Sequence, residues 1–182
     1  MAFSDTRNGY GWTSIILHWL VAGLVIAVFV IGEQFEDLSR EAARPLMALH
    51  FSLGATAAVF ILLRLVWRSI QGHPPVSDDP FALRLLAGIV QWALLLLPVL
   101  LVVSGMLTVM SMARPVEVFG LFAIPSPFTQ PDHELREILE EVHTTAVTPM
   151  VALVVVHVLG ALKHAVIDRD GVFSRMFHPI GR

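Results

Sequence analysis

Four histidines set in long apolar stretches are the residues of this chain whose type and spacing could do chemistry: His18, His50, His143 and His157. An ionisable side chain in a hydrocarbon span is costly and calls for a partner, and imidazole is a ligand for iron, copper and zinc. His143 and His157 share one run, EEVHTTAVTPMVALVVVHVLGALKHAVID at 140–168, and stand fourteen residues apart. At about 100° per residue they fall within roughly 40° of each other on one helix face, while a rise of about 1.5 Å per residue separates them by about 21 Å. Metal–imidazole bonds are about 2 Å long, so no single ion joins them. Each therefore needs its own cofactor and a second ligand from another helix. The sequence has no cysteine, which excludes disulfides, thiolate metal sites, iron–sulfur clusters and thioether-linked haem.

The elements that must position these residues read as membrane helices. At 182 residues the chain has the length of one domain. Its 55% apolar and 15% charged content, with a mean hydropathy of +0.72, marks it as an all-α membrane protein. A net charge of −3 gives no reason to expect nucleic acid as a partner. The four expected spans cover about 13–32, 46–68, 84–111 and 140–167. The first contains a histidine, has only Arg7 as a basic flank and lacks a small-x-small site before Glu33, so it reads as a retained helix rather than a signal peptide. Trp12 and Trp19 suit the interfacial belt. The third carries no histidine or charge, and Pro98 is expected to kink it. Among the connections, 71–80 reads as a polar turn around Pro74, Pro75 and Asp79, and 111–131, with four prolines, reads as a lid or binding loop. Residues 132–141 should begin the last helix, acidic at its N-terminus. No internal repeat is visible.

Basic residues set the orientation. Arg7, Arg64, Arg68, Arg84, Lys163, Arg169, Arg175 and Arg182 collect on one side, against Arg40, Arg44, Arg114 and Arg136 on the other, which puts both termini in the cytoplasm. His18 and His157 then lie about 7 Å and about 4 Å to the cytoplasmic side of the midplane, with His50 and His143 on the outer half. The expected pairs are His18 with His157 and His50 with His143. Haem b suits such gaps: two imidazoles close both axial positions of the iron, and the apolar macrocycle fits a bundle interior. The small residues Ser52, Gly54, Ala55, Ala57, Gly160 and Ala161 make room for it, and Arg64, fourteen residues after His50, is placed to pair with a haem propionate. His164 lies about 15 Å from the midplane, too shallow to face His18. Beside Lys163, it reads either as a hydrogen-bond donor to a quinone carbonyl or as a snorkelling interfacial residue. His73, His133 and His178 read as solvated, and Glu137, Glu140 and Glu141 as a wetted helix face.

His18-Trp19, His50 with Ser52 and Gly54, Arg64-Leu65 with Arg68, Leu97-Pro98, Phe119-Gly120 and Glu137-Ile138 before His143 together resemble the bacterial cytochrome b561 family, over nearly the whole chain. The resemblance implies a four-transmembrane-helix bundle in the bacterial inner membrane, enclosing two b haems and passing electrons between a periplasmic donor and membrane quinone. Small stand-alone members resemble superoxide oxidases, so superoxide:ubiquinone oxidoreductase is the expected activity. The alternative is a membrane-anchor cytochrome subunit of a hydrogenase- or formate-dehydrogenase-type complex, with a periplasmic redox partner. Superoxide is an anion, yet the outer loops hold ten of the fifteen acidic residues, which leaves Arg40, Arg44 and Arg114 as the local positive patch.

Overall fold

A computed structural model describes residues 3–6, 9–35, 38–71 and 79–179. Arg7, Glu36, Asp37, His73, Pro74, Pro75 and Arg182 lie outside these residues. The described chain runs through α1 (Trp12–Glu33), α2 (Arg40–Ile70), α3 (Phe81–Met110), a short hairpin of β1 (Val116–Val118) and β2 (Phe122–Ile124), and α4 (His133–Leu162). A π-helical turn, Lys163–Asp168, and a 3-10 turn, Phe173–Met176, follow. All four long helices are apolar enough and long enough to cross a bilayer. Ile26, Val59, Leu96 and Leu159 face outward. In water each such side chain would forgo about 1.5–3 kcal/mol of burial, so this surface belongs in hydrocarbon.

The helices outrun the apolar spans that the sequence predicts. α2 starts at Arg40, well before residue 46, because Ser39 caps it: its hydroxyl accepts the Ala42 N–H at 3.4 Å. α4 starts at His133, where the Asp132 carboxylate accepts the Leu135 N–H at 2.9 Å and Glu134 complements the helix dipole. At its other end the regular helix stops at Leu162, short of the expected 167, and gives way to the π turn. Hydroxyls inside the spans bond back to carbonyls one turn earlier, as Thr56 does to Ser52 at 2.9 Å and Thr108 to Ser104 at 2.8 Å, which satisfies them within their own helices.

The chain forms two compact units. One comprises Met1–Trp19, Leu62–Leu97 and Thr148–Arg182 and carries both termini. Within it, Asp5 accepts the Gly11 N–H and the Ser14 hydroxyl, each at 2.8 Å, and Ser14 in turn accepts the Trp67 indole N–H at 2.9 Å. The N-terminal segment is thereby tied to the end of α2. Trp19, expected at the interface, donates its indole N–H to the Met176 carbonyl at 2.8 Å and lies 5.0 Å from the Phe177 ring.

The other unit comprises Leu20–Ile61 and Pro98–Val147. Its core includes Ala55, Met110, Val116 and Val118, with Phe51 and Met106 packed against them. The proline-rich connection at 111–131, expected to be a lid or binding loop, carries an ordered antiparallel hairpin that pairs Val116 with Ile124 and Val118 with Phe122. The alternation Val-Glu-Val buries both valines and leaves Glu117 outward. Phe119 (φ 51°) and Gly120 (φ 68°) are both left-handed, the central residues of a primed turn that the Leu121 N–H closes on the Val118 carbonyl at 2.9 Å. Phe119 is bulky for that conformation, and its N–H is held by the buried Ser52 hydroxyl at 2.9 Å. Ser52, which the sequence offers as room for a cofactor, is thus the hairpin's anchor.

Ser52→Ala strands the Phe119 N–H and is expected to lower stability by about 1–3 kcal/mol. Thermal unfolding in detergent checks this, and an unchanged midpoint would mean that water replaces the hydroxyl.

Candidate functional site

The four intramembrane histidines stand as two facing pairs, one in each unit, and all four are half-buried. In the terminal unit the ring centroids of His18 (α1) and His157 (α4) are 6.1 Å apart, with planes inclined at 61°. In the other unit His50 (α2) and His143 (α4) are 6.3 Å apart, inclined at 79°. These separations are close to the space a metal needs: two metal–nitrogen bonds of about 2 Å, plus about 1.2 Å from nitrogen to centroid in each ring, span about 6.4 Å.

One device orients both rings of the second pair. His50 Nδ1 lies 3.1 Å from the Val28 carbonyl on α1, and His143 Nδ1 lies 2.8 Å from the Leu101 carbonyl on α3. A carbonyl only accepts, so both rings carry their proton on Nδ1 and leave the Nε2 lone pair bare. A helical carbonyl is ordinarily shielded by the side chain one turn later. Four residues after Val28 comes Gly32, and four after Leu101 comes Gly105. A Cβ on Gly32 would come within 3.2 Å of His50 Cε1, and one on Gly105 within 2.9 Å of His143 Cε1. Each imidazole therefore sits in a notch made by an exposed carbonyl and a missing methyl. Phe35 and Phe51 flank the His50 ring at 5.3 and 6.1 Å, and the Ser104 hydroxyl lies 3.3 Å from His143 Nδ1.

The first pair is held differently. The Arg64 guanidinium approaches His18 Nδ1 at 2.9 Å. Guanidinium only donates, so neutral His18 accepts there and keeps its proton on Nε2. A metal at Nε2 would displace that proton to Nδ1, which would release Arg64. Glycines on the histidine faces leave space: a Cβ on Gly54, one turn beyond His50, or on Gly160, one turn beyond His157, would meet nothing within 4 Å. Ala55 and Ala57 instead pack into apolar clusters.

His164 stands apart from both pairs. Its Nδ1 lies 2.8 Å from Asp170 and 3.2 Å from Asp168, and its Nε2 lies 3.5 Å from Asp79. Lys163 bonds Asp79 at 2.9 Å and also Asp168. Asp79, His164 and Asp168 bring ligand atoms within 4.8 Å of one another, but the Lys163 ammonium already supplies the positive charge there. Burial opposes ionisation of Asp170, yet the Val172 N–H and His164 hold its carboxyl below the usual range. Arg136 pairs with Glu140 at 2.8 Å on the exposed face of α4, in keeping with a wetted surface.

A sequence model described as prokaryotic cytochrome b561 matches residues 9–179. Cytochrome b561 homolog 2 of Escherichia coli (strain K12) is 31% identical over 179 residues, covering 97% of this chain and 95% of its own length. Cytochrome b562 of Cereibacter sphaeroides is 28% identical over 94% of this chain and 96% of its own. The protein named probable superoxide oxidase CybB of Yersinia pestis is 26% identical over 92% of this chain and 94% of its own.

The notches predict a tautomer. In metal-free protein with 15N-labelled histidine, His50 and His143 should report protonated Nδ1 and bare Nε2. Gly105→Ala should abolish that state for His143 alone, and Gly32→Ala, with its looser 3.2 Å contact, should disturb His50 less. A protonated Nε2 on His143 in the unsubstituted chain would contradict the notch.

Proposed function

This chain belongs to the prokaryotic cytochrome b561 family, and from that premise we propose that His18 with His157, and His50 with His143, each hold one b haem in a di-haem electron carrier. The family places it as a multi-pass protein of the bacterial inner membrane that binds haem b and takes part in membrane electron transfer. The observation that carries the finer reading is the matched ring separation, 6.1 and 6.3 Å, in two pairs drawn from three helices.

His18 with His157 and His50 with His143 would hold the haems, which would supply one-electron exchange. The protein's own part is orientation. The Val28 and Leu101 carbonyls accept the Nδ1 protons, which raises the basicity of Nε2 and fixes the ring planes. Arg64, freed from His18, is the cation available to a propionate at that end of α2. Both termini face the cytoplasm by the balance of basic residues. Electrons enter on the outer side at the His50–His143 pair and leave to ubiquinone near His164 and Lys163. There the exposed Val166 and Ile167 offer a lipid-facing apolar surface to a lipophilic acceptor.

Superoxide is the preferred donor, guided by Arg40, Arg44 and Arg114, which are all exposed. The acidic residues around them favour a second reading, in which a periplasmic partner subunit delivers the electron and this chain is its membrane anchor.

A haemochrome assay is expected to return about two haems per chain. His143→Ala should keep one and His164→Ala both, while a value near zero in folded protein would end the reading. Stopped-flow haem reduction by superoxide, with ubiquinone as acceptor, should slow as salt rises past about 0.15 M and when the three arginines are neutralised. Slow, salt-independent reduction would move the assignment to the anchor.

A further inference from the structure

The end of α4 leaves regular helical geometry where titratable side chains gather. Lys163–Asp168 is a π turn, closed where the Arg169 N–H meets the His164 carbonyl at 2.9 Å, with Arg169 left-handed at φ 53°. Such turns re-aim side chains that an α-helix would spread around its circumference. Here the turn directs His164 and Lys163 toward Asp79, while the Arg169 side chain turns back to the Val166 carbonyl.

The two nitrogens of His164 are unequally committed. Nδ1 is fixed by Asp170 at 2.8 Å, with Asp168 at 3.2 Å. Nε2 faces Asp79 at 3.5 Å, too far for a good hydrogen bond, and so has capacity for another oxygen. Side-chain exposure falls along the same line, from 30% at Asp170 through 24% at Asp168 to 16% at His164 and 15% at Asp79. Among the described residues, the charged groups paired with His164 are Asp79 from the segment before α3, Asp168 from its own turn and Asp170 just beyond it, with Lys163 bonded to Asp79 and Asp168.

We propose that Asp170 and His164 form the proton path for quinone reduction, with Asp170 collecting protons from water and His164 Nε2 delivering them to the quinone oxygen. The proposal rests on the reading of this end as the quinone site. Reduction of a quinone to a quinol adds two electrons and two protons, turning both ring carbonyls into hydroxyls. The electrons come singly from the one-electron donor, by way of the two histidine pairs that would hold the haems. Each proton crosses in one relay: Nδ1 takes a proton from the Asp170 carboxyl, so that the ring carries two, the Nε2–H bond then breaks as O–H forms on the quinone, and water restores the carboxyl. The neutral ring, left with its proton on Nδ1, resets by returning that proton to water as water supplies one to Nε2. Asp79 and Asp168 stabilise the ring while it carries two protons, and Lys163 holds both carboxylates in place. Two passages complete one quinol.

Asp170→Asn is the sharp test, because its amide oxygen can still accept the Val172 N–H that Asp170 accepts at 3.0 Å. Pre-reduced holoprotein in liposomes is mixed with a short-chain ubiquinone. Reoxidation is followed by absorbance and proton uptake by a pH dye, between about pH 6 and about pH 9. The unsubstituted protein should be nearly insensitive to pH. Asp170→Asn and His164→Gln should slow by about tenfold or more at alkaline pH, recover as the medium supplies protons, and lag in dye response, with unchanged haem spectra and, for Asp170→Asn, an unchanged KM for quinone. A flat profile in both variants overturns the path. So does a raised KM with an unaltered profile, which would make the cluster a quinone clamp. If the unsubstituted protein is never reoxidised by quinone, the quinone reading itself fails.

Discussion

An imidazole in hydrocarbon must satisfy two nitrogens at once, and the rest of the structure follows from how this is met. At His50 and His143 one nitrogen is satisfied by a backbone carbonyl from a neighbouring helix, which leaves the other uncommitted in two rings whose centroids are 6.3 Å apart. This demands close approach of helices at chosen turns, hence Gly32 and Gly105. It also explains why α3 matters although it carries no histidine, since Leu101 and Gly105 together form the seat of His143.

The hairpin at 116–124 serves the same unit from outside the spans. Ser52, two residues beyond His50, holds the Phe119 N–H, so the segment of α2 that presents the ligand is also the one that fixes the loop. Backbone conformation unfavourable to a phenylalanine is tolerated there because Val116 and Val118, just before the turn, are buried in the core that Ala55 and Met110 share.

Much of this was legible in the sequence. The four apolar runs give the four helices, and counting depth along alternating spans pairs the same rings that face each other in the structure. The start of α4 was legible in the acidic residues from Asp132 onward, but that of α2 was not, because hydropathy reports where lipid stops rather than where hydrogen bonding stops, and the Ser39 cap carries α2 past its apolar run. The hairpin was hidden by strands of only three residues and by a phenylalanine in the turn where asparagine or aspartate would have signalled it. The seats of His50 and His143 were hidden because a carbonyl acceptor has no residue identity. A trace was nonetheless present: Gly32 stands fourteen residues after His18, on the same face of α1. Arg64 is on the expected helix but beside His18, a contact set by interhelical register, which one sequence does not record. The ring of carboxylates about His164 depends on the π turn, and helical periodicity cannot foresee an extra residue in a turn.

The glycine seats also bear on how changes in this chain should be interpreted. Gly32 and Gly105 have no side chain to lose, sit within lipid-spanning helices and would be scored in any survey of variants as packing positions. A methyl group at either acts on the imidazole across the gap, on its proton and its lone pair. A defect in electron transfer arising at such a glycine would therefore be chemical in origin while leaving helix content and membrane insertion intact, and a screen for folding alone would pass it as benign.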